Sequence, residues 1–212
     1  RGTPTSERGT GSRGDCLYRA ELPLVAALVG ESHLTFTVSD HPTIWAYLPY
    51  TSSDARYAEL ILYTESSDQE IYRGSFPLSD SPGVTGVRFP ASMPPLSAGE
   101  AYRWYIDVSC SPASVSTGSS ASIPLATPAT LTGVVERVMP SPELAQALQT
   151  ASTTVETLSA YGEHHIWYDL LSELAERRLS TADSQFEQLW IDLLSDETGA
   201  NLENYAGVPL LG

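Results

Sequence analysis

The sequence predicts a mainly β chain with a helical end: an N-terminal immunoglobulin-like antiparallel β-sandwich over residues 16–139, then an α-helical region over 140–212. Three observations predict it. Ala101–Cys110 alternates Tyr102, Trp104, Ile106 and Val108 with Arg103, Tyr105, Asp107 and Ser109, the period-two pattern of a half-buried strand. Before it, short apolar segments recur every 8–15 residues between clusters of turn residues. At Met139-Pro140-Ser141-Pro142-Glu143 the apolar period changes from two to about 3.6.

Residues 1–15 are a basic, glycine-rich tail with no apolar side chain to bury, a composition that does not fold alone. Arg13-Gly14-Asp15 matches the integrin-binding tripeptide, a match short enough to arise by chance. Strands are expected at Leu22–Val29, His33–Val38, Thr43–Tyr47, Tyr57–Thr64, Glu70–Phe76 and Val84–Phe89. The breaks carry turn chemistry: Ser39-Asp40-His41-Pro42, Ser52-Ser53-Asp54, Ser66-Ser67-Asp68 and Ser79-Asp80-Ser81-Pro82-Gly83. Ala101–Cys110 bears the heaviest aromatic load and is expected at the centre of the sheet.

Val108 to Val135 carries no charged residue, and its Ser/Thr-rich part, residues 109–132, reads as a long loop or weak hairpin before a closing strand at Leu131–Val138. The alternatives are an uncharged face for a partner strand, or a site of O-linked sugar. No Asn-x-Ser/Thr sequon occurs.

Ser141 is a suitable N-cap with Pro142 at the first helical position. Leu144, Ala147, Leu148, Ala151, Val155 and Leu158 continue one helix to about Ala160. A second is expected from Glu163 to Leu179, burying Ile166, Trp167, Leu170, Leu171 and Leu174. A third, capped by Ser180 or Thr181, runs from Ala182 to Leu194 with Phe186, Leu189, Trp190 and Leu193 inward. The last two form a tetratricopeptide-like hairpin, a single unit that cannot bury its own face. Residues 201–212 read as a polar turn followed by Val208-Pro209-Leu210-Leu211.

The formal charge is −15, and all eleven cations are arginine. The absence of lysine excludes Schiff-base and P-loop chemistry, which need its amine. An acidic body repels nucleic acid and anionic lipid, and no apolar run is long enough to span a membrane. The tail opposes this balance: Arg1, Arg8 and Arg13 against Glu7 give residues 1–14 a net +2 and leave −17 on the rest.

Cys16 and Cys110 are too few for a structural zinc site and are not spaced as a Cys-x-x-Cys redox pair. One bridge over a separation of 94 is the simpler reading. Chain entropy makes such a bridge worth on the order of 4–5 kcal/mol, and it implies an oxidising compartment: medium, cell surface or periplasm. The chain begins at Arg1 rather than methionine, as expected of a processed, exported protein.

In His164-His165-x-x-x-Asp169, His165 and Asp169 fall one helical turn apart, a two-ligand metal face that would need His33, His41 or an acid as third ligand. Adjacent histidines at a helix start are more often solvated, and no metal is assigned. No carboxylate pair stands out from a solvated acidic face, and there is no Gly-x-Ser-x-Gly elbow or Gly-rich phosphate loop. Trp45, Trp104, Trp167 and Trp190 could form a sugar platform, but their places inside periodic elements assign them to the core. No catalytic residue and no cofactor is assigned.

Several runs carry a resemblance. They are Arg8…Gly11-Ser12-Arg13-Gly14-Asp15-Cys16, Pro42-Thr43-Ile44-Trp45-Ala46-Tyr47-Leu48-Pro49-Tyr50, Ala58-Glu59 and Ile71-Tyr72-Arg73. Pro94-Pro95-Leu96, Tyr102-Arg103-Trp104-Tyr105…Cys110 and Gly133-Val134-Val135-Glu136-Arg137-Val138 follow, then Ile166-Trp167-Tyr168-Asp169-Leu170-Leu171 and Trp190-Ile191-Asp192-Leu193-Leu194. In this order they resemble a family of exported cyanobacterial proteins catalogued as domain of unknown function 928. The resemblance implies export and supports Cys16 and Cys110 as the family's pair. It transfers no catalytic residue.

The function expected is that of a non-catalytic, exported protein that assembles with copies of itself into an extracellular filament or surface structure. Its basic tail, through Arg1, Arg8 and Arg13, engages a neighbour whose helical region is acidic. The alternative is a monomeric periplasmic or cell-surface module that docks a protein or glycan, with the tail folded back on its own sandwich. A hydrolase using a His/Asp site ranks third.

Overall fold

The computed structural model describes residues 10–12, 14, 16, 19–30, 35–110, 128–196 and 202–212. They form two sheets of mostly antiparallel strands, covered by five helices.

The larger sheet has six strands. Its main path runs β1 (Thr10–Ser12), β9 (Ala129–Arg137), β8 (Glu100–Cys110), β5 (Ala55–Thr64) and β6 (Glu70–Phe76), with β3 (Phe36–Thr37) parallel to the far end of β9. The aromatic strand β8 therefore lies between β9 and β5, as its alternation predicts. Tyr102, Trp104, Ile106 and Val108 are buried on the inner face with Leu60 and Leu62 of β5 and Leu131 and Val135 of β9. Opposite Trp104, β9 carries Gly133, where a Cβ would stand 2.4 Å from the indole, so the residue leaves room for the ring.

The smaller sheet has four strands in the order β10 (Leu210–Leu211), β7 (Gly83–Arg88), β4 (Thr43–Leu48) and β2 (Ala26–Ala27). Ile44 through Leu48 of β4 are all buried, which an alternating strand achieves only when both faces are covered. The two sheets share one apolar core, with Tyr72 of β6 meeting Phe89 at the end of β7 edge to face, 5.7 Å between centroids.

The outer face of β4 is covered by α3 (Trp167–Ser180) and by α5 (Glu203–Ala206). Trp45 donates its indole N–H to the Ser172 hydroxyl at 3.0 Å, and Tyr47 packs on Tyr205. From α3, Trp167 donates to the Leu28 carbonyl, and Tyr168 accepts from the Trp104 indole at 2.9 Å while donating to the Val134 carbonyl at 2.8 Å. Trp167 and Trp190, on the helices, belong to the same apolar core as Trp45 and Trp104 on the sheets. All four tryptophans are buried, so they offer no sugar platform.

Three expectations need correction. The helix expected from Ser141 to Ala160 is two helices, α1 (Pro142–Thr150) and α2 (Thr154–Glu163). Thr153 and Glu156 form a reciprocal capping box that starts α2 anew, while Ser141 caps α1 as expected. The helix expected from Ala182 to Leu194, α4 (Ser184–Ser195), is capped by the Asp183 carboxylate, not by Ser180 or Thr181. The C-terminal apolar run is a strand: Leu210 and Leu211 pair parallel with Val84 and Thr85 of β7.

Candidate functional site

The leader and the sheet edges are the first candidate. Cys16 and Cys110 are bonded, with their Cα atoms 5.3 Å apart, so the chain at Cys16 is tied covalently to the end of β8. Three residues further on, Arg19 holds Asp54 at 2.8 Å, and Asp54 also accepts from the Thr51 N–H and hydroxyl. The Thr51 groups and the Arg19 charge hold the Asp54 carboxyl below its usual range, against burial, which acts to raise it.

From this root the leader turns back. Gly14 has φ +53°, a left-handed conformation that glycine adopts without a Cβ clash. Thr10, Gly11 and Ser12 then lie antiparallel to Thr132, Leu131 and Thr130, adding β1 to the edge of β9. Arg1, Arg8 and Arg13, the tail cations singled out in the sequence, lie outside the described residues, as does Ser/Thr-rich 111–127. Beyond Thr132 the β9 edge is in use: the Val134 carbonyl accepts from Tyr168, and β3 pairs with Glu136 and Arg137. The opposite end of the sheet differs. Among the described residues, the seven-residue β6 pairs only with β5.

The second candidate is a cleft of about 180 Å³ between α3 and the turn after β3, lined by Thr37, Ser39, His41, Arg88, Tyr161 and Asp169 among others. Asp169 projects from the first turn of α3 and accepts from the Thr37 hydroxyl at 2.7 Å and the Val38 N–H at 3.1 Å. Burial pushes its carboxyl above the ordinary value, while these donors oppose the shift. His41 bridges two acceptors, the Met93 carbonyl at Nε2 (2.8 Å) and the Asp40 carboxylate at Nδ1 (3.0 Å). A ring facing two acceptors satisfies both only as imidazolium, so the Met93 bond, joined by Asp40, raises its pKa despite burial.

The metal face expected of His165 and Asp169 is not built as the spacing suggests. His164 ends α2, His165 has φ +58° in the connection, and α3 begins only at Trp167, so the two residues do not share a helix. Asp169 turns instead toward Thr37 and Val38. His33 lies outside the described residues, and no cluster of three or more metal-ligating side chains occurs among those described. Two hydroxyls at the cleft are engaged: Thr37 donates to Asp169, and Ser172 accepts from Trp45. Sequence reasoning missed the partnership of Asp169 with Thr37, which lie 132 residues apart.

These features define a class: a helix-covered, two-sheet protein with one disulfide at the root of its leader. Within that class the chain belongs to the family described as Domain of Unknown Function (DUF928), whose model matches residues 8–210. No curated protein and no solved structure matches the chain. No helix among the described residues is long and apolar enough to cross a membrane.

Proposed function

We propose that this protein is a non-catalytic, exported subunit that assembles with copies of itself into an extracellular filament or surface structure, its leader engaging a neighbouring subunit. The observation that carries this reading is the pairing of Thr10–Ser12 with β9. It identifies the leader as a segment able to join a sheet edge through its backbone alone, which asks little of sequence. A strand of three residues is a light attachment, and Gly14 lies between it and the covalent root at Cys16. The disulfide supports an oxidising location such as the medium, the cell surface or the periplasm. We read the two-sheet body as immunoglobulin-like on the strength of Trp104 buried in the sheet that ends at the bridge.

The test is removal of residues 1–14, read by size-exclusion chromatography and electron microscopy beside the intact protein. The truncated chain is expected to remain folded and monomeric while the intact chain polymerises; polymers unchanged by the truncation would defeat the reading. The alternative, a monomeric surface module that docks a protein or glycan, is favoured by one fact: β1 pairs within its own chain. It requires the intact chain to stay monomeric at every concentration.

A further inference from the structure

Resting on that reading, we propose that the acceptor for the leader is β6, and that residues 1–9 of one copy add to it as the next strand of the sheet. Three observations point there. First, the chain's own β9 has no room for more of the leader, since β3 pairs with Glu136 and Arg137 and Tyr168 takes the Val134 carbonyl. Second, β6 pairs only with β5 among the described residues, and Ile71 is exposed on it. A strand with one neighbour presents a row of backbone donors and acceptors to a further strand. Third, the lengths agree. At about 3.3 Å per residue, the nine residues before β1 reach roughly 30 Å, and the seven of β6 span roughly 23 Å.

Charge favours the same occupant. The β5–β6 hairpin carries Glu59, Glu65, Asp68 and Glu70 against Arg56 and Arg73, with Arg103 of β8 beside Glu65. Residues 1–9 bring Arg1 and Arg8 against Glu7. Leader and acceptor lie at opposite ends of one sheet, β1 at one end and β6 at the other. Each added copy therefore offers a fresh β6, and the contact joins unlike surfaces, so it propagates unless a rotation closes it into a ring.

The test mixes two forms of the protein. One carries a photoreactive benzophenone side chain in place of Thr5; the other lacks residues 1–14 and can only accept. After irradiation, crosslinked peptides are identified by mass. Crosslinks to residues 70–76 of the truncated form are expected. Crosslinks to β9 or to the helices would overturn the assignment while leaving leader-driven assembly intact; an intact chain that never assembles overturns the underlying reading instead. A second variant, Glu70→Arg, places a like charge beside the incoming arginines at an exposed position. It should slow assembly about tenfold at low salt relative to Glu70→Gln, which loses the Arg73 ion pair without adding a positive charge, and equal rates for the two variants would count against β6.

Discussion

Gly133→Ala tests how the two halves of the molecule are joined. A Cβ at this position would stand 2.4 Å from Cζ2, 2.7 Å from Cε2 and 3.0 Å from Nε1 of Trp104. Carbon atoms in contact sit about 3.5–4.0 Å apart, so the indole must retreat by about 1 Å from a site with no free surface around it. Retreat displaces Nε1 from the Tyr168 hydroxyl, and with it the link from the sheet to α3. Overpacking and one lost buried hydrogen bond together cost about 2–5 kcal/mol. For a chain of this length that lowers the melting temperature by about 5–20 °C. Near-ultraviolet circular dichroism during a thermal scan reads it, because the buried tryptophans dominate the signal. Gly162→Ala is the control: a Cβ there meets nothing within 4 Å inside α2, and it should stabilise by about 0.5–1 kcal/mol. In Gly133→Ala/Trp104→Phe the clash is relieved, so the pair should cost clearly less than the sum of the single changes. Strict additivity, or a melting temperature for Gly133→Ala equal to that of the unmodified protein, would refute the packing argument.

Replacing both cysteines by serine should lower stability by about 4–5 kcal/mol, from the chain entropy of a bridge over a separation of 94; urea titration with and without reductant measures it. His41 titrates with a raised pKa, so its contribution to stability is fully present below the ordinary histidine value of about 6.5 and is lost as pH rises through its folded value. The melting temperature should therefore fall relative to His41→Gln as pH rises above the ordinary histidine value of about 6.5, and parallel curves for the two proteins would exclude the role. Asp169 is also raised, so the direction is the same as for His41: the cost of its buried charge is relieved as pH falls through the folded value toward the ordinary carboxylate range. Asp169→Asn keeps an acceptor for Thr37 and Val38 without the charge and should hold or raise stability at neutral pH. Asp169→Ala strands both donors and should cost about 1–3 kcal/mol; equal losses in the two variants would exclude the desolvation argument.

The sheets were the more legible half of the sequence. β6 has the bounds its pattern predicts, and β8 is central because its aromatic alternation marks a strand with neighbours on both sides. Elsewhere the pattern overstated pairing: of Leu22–Val29 only Ala26 and Ala27 join a sheet. The α1–α2 break was legible but masked. Apolar residues keep helical spacing across Ala151–Thr153, yet Thr153-x-x-Glu156 is the reciprocal cap that restarts the helix. Strand β10 was not legible, since two residues pairing parallel with β7 leave no period to detect. Asp169 shows the limit for sites. Its helical spacing from His165 suggested a metal face, and nothing local points to the Thr37 hydroxyl that holds it.

The cis position of β1 bears on how assembly is driven. Exchanging Thr10–Ser12 for the same three residues of another copy replaces each contact by an identical one, so exchange alone gains nothing. It also loses, because a tethered leader sits near its own β9 at an effective concentration on the order of millimolar. A polymer built on β1 exchange alone would therefore fall apart at ordinary protein concentrations. Assembly needs a contact that the leader cannot make within its own chain. The two ends of the larger sheet offer that asymmetry: one end of β9 is closed by β1, Tyr168 and β3, whereas β6 at the far end has a single strand neighbour among the described residues. With β1 left in cis as a clamp, residues 1–9 can add to a neighbour's β6 without giving up any pairing on β9. The driving force is then new hydrogen bonding at β6 rather than exchange, and assembly should scale with concentration and weaken with salt.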